Sequence, residues 1–160
     1  MRQAYIALGS NLQQPQQQVL LALTELGHLP KTRVVKRSSL YRSRPVGYDD
    51  QPDFINAVAE VDTDLTPREL LYALQALENT HGRKRPFPNA PRVLDLDLLL
   101  YSKMIMTTDD LTLPHPRMHE RGFVLLPLAE IAPQLSLPRH GSVTLLAQAC
   151  ASQGVEKLAI

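Results

Sequence analysis

Arg92-Val93-Leu94-Asp95-Leu96-Asp97-Leu98-Leu99-Leu100-Tyr101 reads as a strand, entered through the proline-stiffened approach Asn89-Ala90-Pro91. Side chains alternate between the two faces of a strand, so Leu94, Leu96, Leu98 and Leu100 share one face and Val93, Asp95, Asp97 and Leu99 the other. The leucine face is core. Asp95 and Asp97 then point the same way with Cα atoms roughly 7 Å apart. At an effective dielectric near 20 their repulsion is on the order of 2–3 kcal/mol. Hard carboxylate oxygens at i and i+2 suit magnesium, which leaves its other positions to water and phosphate. A solvated edge strand, charged against aggregation, reads the same way in isolation. Upstream lie Arg83, Lys84, Arg85 and Arg92, so acidic and basic groups converge on one stretch, as a magnesium polyphosphate site requires.

The 160 residues suffice for one domain, 1–160, with a substantial core. A formal net charge of +1 excludes a global polyanion-binding field, so any attraction for phosphate is local and nucleic acid is not an expected partner. The single cysteine, Cys150, excludes an internal disulfide and points to a reducing compartment. Tyr5-Ile6-Ala7-Leu8 is too short for a signal or membrane segment, and a cytoplasmic protein without a membrane partner is expected.

In chain order, residues 3–9 read as a strand ending at Gly9-Ser10-Asn11, a turn whose backbone could approach a ligand. Pro15 then opens a helix with an apolar face of Val19, Leu20, Leu23 and Leu26. Residues 32–43 form a second strand, followed by a connection over 43–52 longer than a hairpin needs. The third strand, 53–61, puts Ile55, Ala57, Ala59 and Val61 on one face and Phe54, Asn56, Val58 and Glu60 on the other. An aromatic ring beside a carboxamide suits a flat heterocycle, although a half-exposed sheet pair explains it equally. Thr66-Pro67-Arg68-Glu69 is a capping box opening a helix with a stripe of Leu70, Leu74 and Leu77. Gln75 and Glu78 share a flank of that helix, where they either meet a nucleotide or face solvent. Residues 83–92 hold three prolines and four cations, a loop able to close over phosphates. Met104-Ile105-Met106 is a short added strand, and residues 117–130 are mostly helical. His115 and His119 have zinc-like spacing, but Pro116 turns His115 away from helical geometry and zinc is not expected. Ser142 to Ala151 is a last helix. The order predicts an α+β fold, the ferredoxin-like βαββαβ sandwich with additional C-terminal helices and short strands.

Several stretches carry a resemblance: Gly9-Ser10-Asn11-Leu12, Ser39-Leu40-Tyr41-Arg42-Ser43, Gln51-Pro52-Asp53-Phe54-Ile55-Asn56-Ala57, Ala90-Pro91-Arg92-Val93-Leu94-Asp95-Leu96-Asp97, Pro114-His115-Pro116-Arg117 and Arg121-Gly122-Phe123-Val124-Leu125. In order and spacing they resemble the 6-hydroxymethyl-7,8-dihydropterin pyrophosphokinases of folate biosynthesis, over nearly the whole chain. The resemblance implies transfer of diphosphate from ATP to the hydroxymethyl group of the pterin, with Asp95 and Asp97 holding two Mg2+ ions. It implies Arg83, Arg92, Asp95 and Asp97 as catalytic residues, and nucleotide contacts from Gln75, Glu78, Arg83, Arg85, Arg92, His115 and Arg121. It places the pterin between Phe54 and Phe123, with Asn56 and the segment around Ser43, Arg44 and Val46 reading its edges. A monomer is expected. The chain departs from the family where Pro88-Asn89-Ala90 stands in place of a common Trp-Gly, where Phe54 replaces a tyrosine, and where Arg44 replaces an apolar residue or proline. A binding module without turnover needs the same aspartates but no aligned acceptor pocket. A single-stranded RNA binder would need a row of exposed aromatics and a basic sheet face, which the chain lacks.

Overall fold

The computed structural model describes residues 1–82 and 87–159; Arg83 and Arg85 of the expected site lie outside them. The centre is a six-stranded antiparallel sheet of β1 (Arg2–Ser10), β2 (Thr32–Arg37), β3 (Tyr41–Ser43), β4 (Phe54–Thr63), β5 (Asp95–Tyr101) and, near the C-terminus, β10 (Glu156–Lys157). The strands run β10-β3-β4-β1-β5, with β2 also on β4. Four helices accompany it among the described residues: α1 (Pro15–Leu26), α2 (Pro67–Thr80), α3 (Gly122–Ile131) and α4 (Val143–Ala149). Two small hairpins, β6 (Met106–Thr107) with β7 (Thr112–Leu113) and β8 (Ser136–Leu137) with β9 (Gly141–Ser142), complete the order.

Both sheet faces are buried. On one, Ile6, Leu8, Ala57, Ala59, Leu96 and Leu98 meet Val19, Leu23 and Leu26 of α1 and Leu70 and Leu74 of α2. On the other, Tyr5, Val58, Leu99 and Leu100 meet Val124, Leu125 and Leu128 of α3 and Val143 of α4. The expected alternation along β5 therefore fails after Leu99. Tyr5 pairs with Leu100 while Ile6 pairs with Leu98, so a bulge at Leu99 puts Leu99 and Leu100 into the second core and returns Tyr101 to the first. Asp95 and Asp97 lie before the bulge and keep their common face.

The predicted strand over 32–43 is broken, because Ser38 takes over the ladder with its side chain. Its Oγ accepts from the Val58 amide at 2.9 Å while its own amide donates to Val58 O at 2.9 Å. In α1, Leu20 is 45% exposed and Ala22 is buried in its stead, since 19, 22, 23 and 26 are the positions that share a helical face. The capping box of α2 is present, with Glu69 N donating to Thr66 Oγ1 at 3.2 Å and Thr66 N to Glu69 Oε1 at 2.9 Å. Residues 117–130 are not one helix: a 3-10 turn at Met118–Glu120 gives way to extended Arg121 before α3 begins. The last helix is shorter than expected, ending at Ala149 before a second 3-10 turn at Ala151–Gln153.

Candidate active site

A cavity of about 350 Å3 opens where β1, β4 and β5 end together. The antiparallel register explains the convergence: Gly9 on β1 lies between Asn56 on β4 and Asp95 on β5, and Ala7 between Val58 and Asp97. β3 adds Ser43 opposite Phe54. The extended Arg121 and the first turn of α3 bring Arg121 and Phe123 to the same space, and the loop before the 3-10 turn brings His115.

Eleven expected site residues line this cavity: Ser43, Arg44, Val46, Phe54, Asn56, Arg92, Asp95, Asp97, His115, Arg121 and Phe123. Gln75 and Glu78 do not. Glu78 is 3% exposed, and its Oε2 accepts from the Leu96 amide at 2.8 Å, so it ties α2 to the start of β5 instead of lying on a solvated flank. The spacing Leu70, Leu74, Glu78 at i, i+4 and i+8 was the signal that this carboxylate faces inward. Gly47, Asn89 and Arg117 also line the cavity, outside the expected site set. Arg117 ends the Pro114-His115-Pro116-Arg117 motif, and that motif is the signal that could have found it.

Phe54 and Phe123 are the aromatic residues of the lining, and Asn56 lies two positions from Phe54 along β4. Asn56 is 4% exposed, and its Nδ2 donates to Ser43 Oγ at 2.8 Å, which fixes the carboxamide's orientation. The charged lining residues are Arg44, Arg92, Arg117 and Arg121 with Asp95 and Asp97, an excess of cations suited to a polyanion. Arg92 Nη1 lies 3.1 Å from Asp95 Oδ2. Arg92 Nε is buried with no partner among the described residues, a donor that an incoming oxygen would satisfy. Burial holds the Arg121 guanidinium below its ordinary range, with Asp97 acting in the opposite sense. Its guanidinium carbon stands 5.6 Å from the Phe123 ring centroid.

Burial first, then Arg121 and Arg117, push the His115 pKa down to about 4 against the pull of Asp95. The imidazole is neutral at pH 7. Its Nδ1 accepts from the Arg117 amide at 3.3 Å, which leaves the proton on Nε2 as a neutral donor. His119 lies elsewhere, its ring stacked on His140 at 3.7 Å and 5°. The donor set fits magnesium: two hard carboxylates on one strand face, which leave the remaining coordination positions to water and phosphate.

The profile of the 7,8-dihydro-6-hydroxymethylpterin-pyrophosphokinase family matches residues 5–133. The 2-amino-4-hydroxy-6-hydroxymethyldihydropteridine pyrophosphokinase of Pseudomonas aeruginosa is 46% identical over 157 residues, covering 98% of this chain and 97% of the relative. That of Haemophilus influenzae is 47% identical over 155 residues, covering 97% of each. A crystal structure of Plasmodium falciparum HPPK-DHPS with pteroate superposes with a TM-score of 0.75 at 13% identity, covering 94% of this chain and 42% of that one, a likeness of fold to a chain more than twice as long. These relatives define the class as pyrophosphokinases, which are transferases. The chain belongs to the 7,8-dihydro-6-hydroxymethylpterin-pyrophosphokinase family.

Proposed function

We propose that this chain transfers the terminal diphosphate of ATP to the hydroxymethyl oxygen of 6-hydroxymethyl-7,8-dihydropterin in the presence of magnesium, giving the pterin diphosphate and AMP. The observation that carries the reading is the continuity of one cavity from Phe54, Asn56 and Phe123 to Arg92, Asp95, Asp97 and Arg121. In the transfer, the hydroxymethyl oxygen bonds to the β-phosphorus, the bridging bond to the α-phosphate breaks, and the hydroxyl proton is released.

Asp95 and Asp97 would hold two magnesium ions, which supply charge neutralisation and electrophilic activation of the phosphates. The chain's own residues do the positioning. Phe54 and Phe123 take the flat ring, and Asn56, held by Ser43, offers its amide to a polar edge with the segment around Val46. Arg92 and Arg121 meet phosphate oxygens, and neutral His115 donates from Nε2 without adding charge. Arg44 stands exposed at the mouth. Arg83 and Arg85 belong to the same phosphate set by sequence alone, and Gln75 and Glu78 support the nucleotide side from α2. A hydroxyl attacking phosphorus gains most from alignment and electrostatics, so an arginine set suffices without a strong base.

The strand order β3-β4-β1-β5, with α1 and α2 on one face, supports the ferredoxin-like description. We read residues 1–160 as one domain acting as a cytoplasmic monomer; no helix among the described residues is long and apolar enough to cross a membrane. Incubation with ATP, magnesium and the hydroxymethyl pterin tests the activity: AMP and pterin diphosphate should appear in step. ADP as the nucleotide product overturns diphosphate transfer, and binding without product leaves a sensing module.

A further inference from the structure

Two loops border the cavity: residues 44–53, which supply Arg44, Val46 and Gly47, and residues 87–94, which supply Asn89 and Arg92. Loop backbones outside a ladder need other partners for their polar groups. Here those partners are two carboxamides. Asn11, 2% exposed just beyond β1, accepts at Oδ1 from the Arg92 amide at 2.8 Å. Its Nδ2 donates to Gln51 Oε1 at 2.8 Å and to Pro52 O at 2.9 Å. Gln51 Nε2 in turn donates to Tyr48 O at 2.7 Å and to Asn89 O at 2.9 Å. The relay starts at the amide of Arg92, crosses both side chains and ends on the carbonyl of Asn89, so it closes on the loop where it began. Every donor and acceptor is matched, which fixes both amide orientations, since flipping either would set donor against donor.

Other contacts hold the same seam. The Asn11 amide donates to Arg92 O at 3.0 Å, and the Tyr48 and Phe87 rings meet edge-on at 4.9 Å. Gly47 has φ +87°, and a Cβ there would stand 2.5 Å from Asn89 Nδ2. Asn11 and Gln51 themselves do not line the cavity.

We propose that Asn11 and Gln51 are positioning residues whose carboxamide bridge couples the pterin-side loop to the phosphate-side loop, so that filling either half of the cavity tightens the other. The assignment of halves rests on the function proposed above. A ligand that settles residues 44–47 orients Gln51, whose bonds set Asn89 and, through Asn11, the backbone that aims Arg92. Binding linkage is reciprocal, so nucleotide must tighten pterin by the same factor that pterin tightens nucleotide.

The test is calorimetric titration of the full chain with the hydroxymethyl pterin and a non-hydrolysable ATP analogue with magnesium, each alone and each in the presence of the other. Gln51→Ala removes the bridge. Gln51→Glu keeps an acceptor for Asn11 but loses the donor to Asn89 and Tyr48, and serves also if Gln51→Ala does not fold. Each single-ligand affinity should stay within about twofold of the unaltered chain, while mutual tightening falls about fivefold or more, equally in both orders. Unaltered tightening in a folded variant overturns the inference, as does equal weakening of both single-ligand affinities with the tightening retained. Should the unaltered chain bind neither ligand, the proposed function fails; should it bind both and turn over without mutual tightening, only the coupling fails.

Discussion

Replacing Arg92 with alanine separates backbone from side chain, because the two are held by different partners. The backbone stays tied to Asn11 through bonds of 2.8 and 3.0 Å, so the loop keeps its place. The side chain is the cation of Asp95: Nη1 to Oδ2 is 3.1 Å, with the side chains 23% and 14% exposed. At an effective dielectric near 20 this pair has a gross attraction of about 5 kcal/mol. Removing one partner of so buried a pair leaves Asp95 without that cation, so Arg92→Ala should lower stability by about 3 kcal/mol. Turnover is another matter. A guanidinium facing developing charge on a transferred phosphate contributes about two to three orders of magnitude in rate. Arg92→Lys, which keeps the charge and loses the fork, should recover part of that. Rapid-quench measurement of AMP formation at saturating substrates gives the rate, and magnesium titration without nucleotide gives a second readout. With its neighbouring cation gone, the aspartate pair should bind magnesium more tightly even as the rate falls. A turnover within threefold of the unaltered chain, or weaker magnesium binding, would refute the reasoning.

Asp97→Asn preserves shape and removes one carboxylate charge; turnover should drop about a hundredfold or more, and magnesium binding should weaken in parallel. Near-normal values for both would remove the metal role from this strand. Phe123→Ala should weaken pterin affinity by roughly thirtyfold with a smaller effect on the nucleotide, as loss of one stacking ring predicts; an unchanged pterin dissociation constant argues against stacking. The His115 pKa is lowered from 6.5 to about 4, so between those values the unfolded chain binds the extra proton, and stability is lost as pH falls from about 6.5 to about 4. His115→Gln should flatten that part of a denaturation-versus-pH curve, and an unaltered slope counts against the buried neutral imidazole. Thr66→Ala removes the acceptor for Glu69 N and should lower stability by about 1 kcal/mol, read in urea denaturation.

Local order was legible wherever the cause was local. Period-two alternation set Asp95 and Asp97 on one face, Thr66 and Glu69 specified the start of α2, and the quoted motifs contained eleven of the residues that converge on the cavity. What alternation could not register was a contribution from a partner strand. The bulge at Leu99 exists in the pairing with β1, and the break at Ser38 exists because Val58 lies opposite it.

The sequence by itself determined which side chains are available to line the cavity, namely paired carboxylates, arginines, two phenylalanines and an amide, together with the strands and helices that bear them. Only the tertiary structure decided how they meet and which are withdrawn. It buried Glu78 against Leu96, brought Arg117 and Asn89 to the cavity, made His115 neutral, and joined two loops through Asn11 and Gln51. The physical reason is range. Propensity and periodicity act over a few residues, whereas burial, charge environment and the partners of a carboxamide are set by segments some 40 to 80 positions away, as in Asn11 with Gln51 and with Arg92.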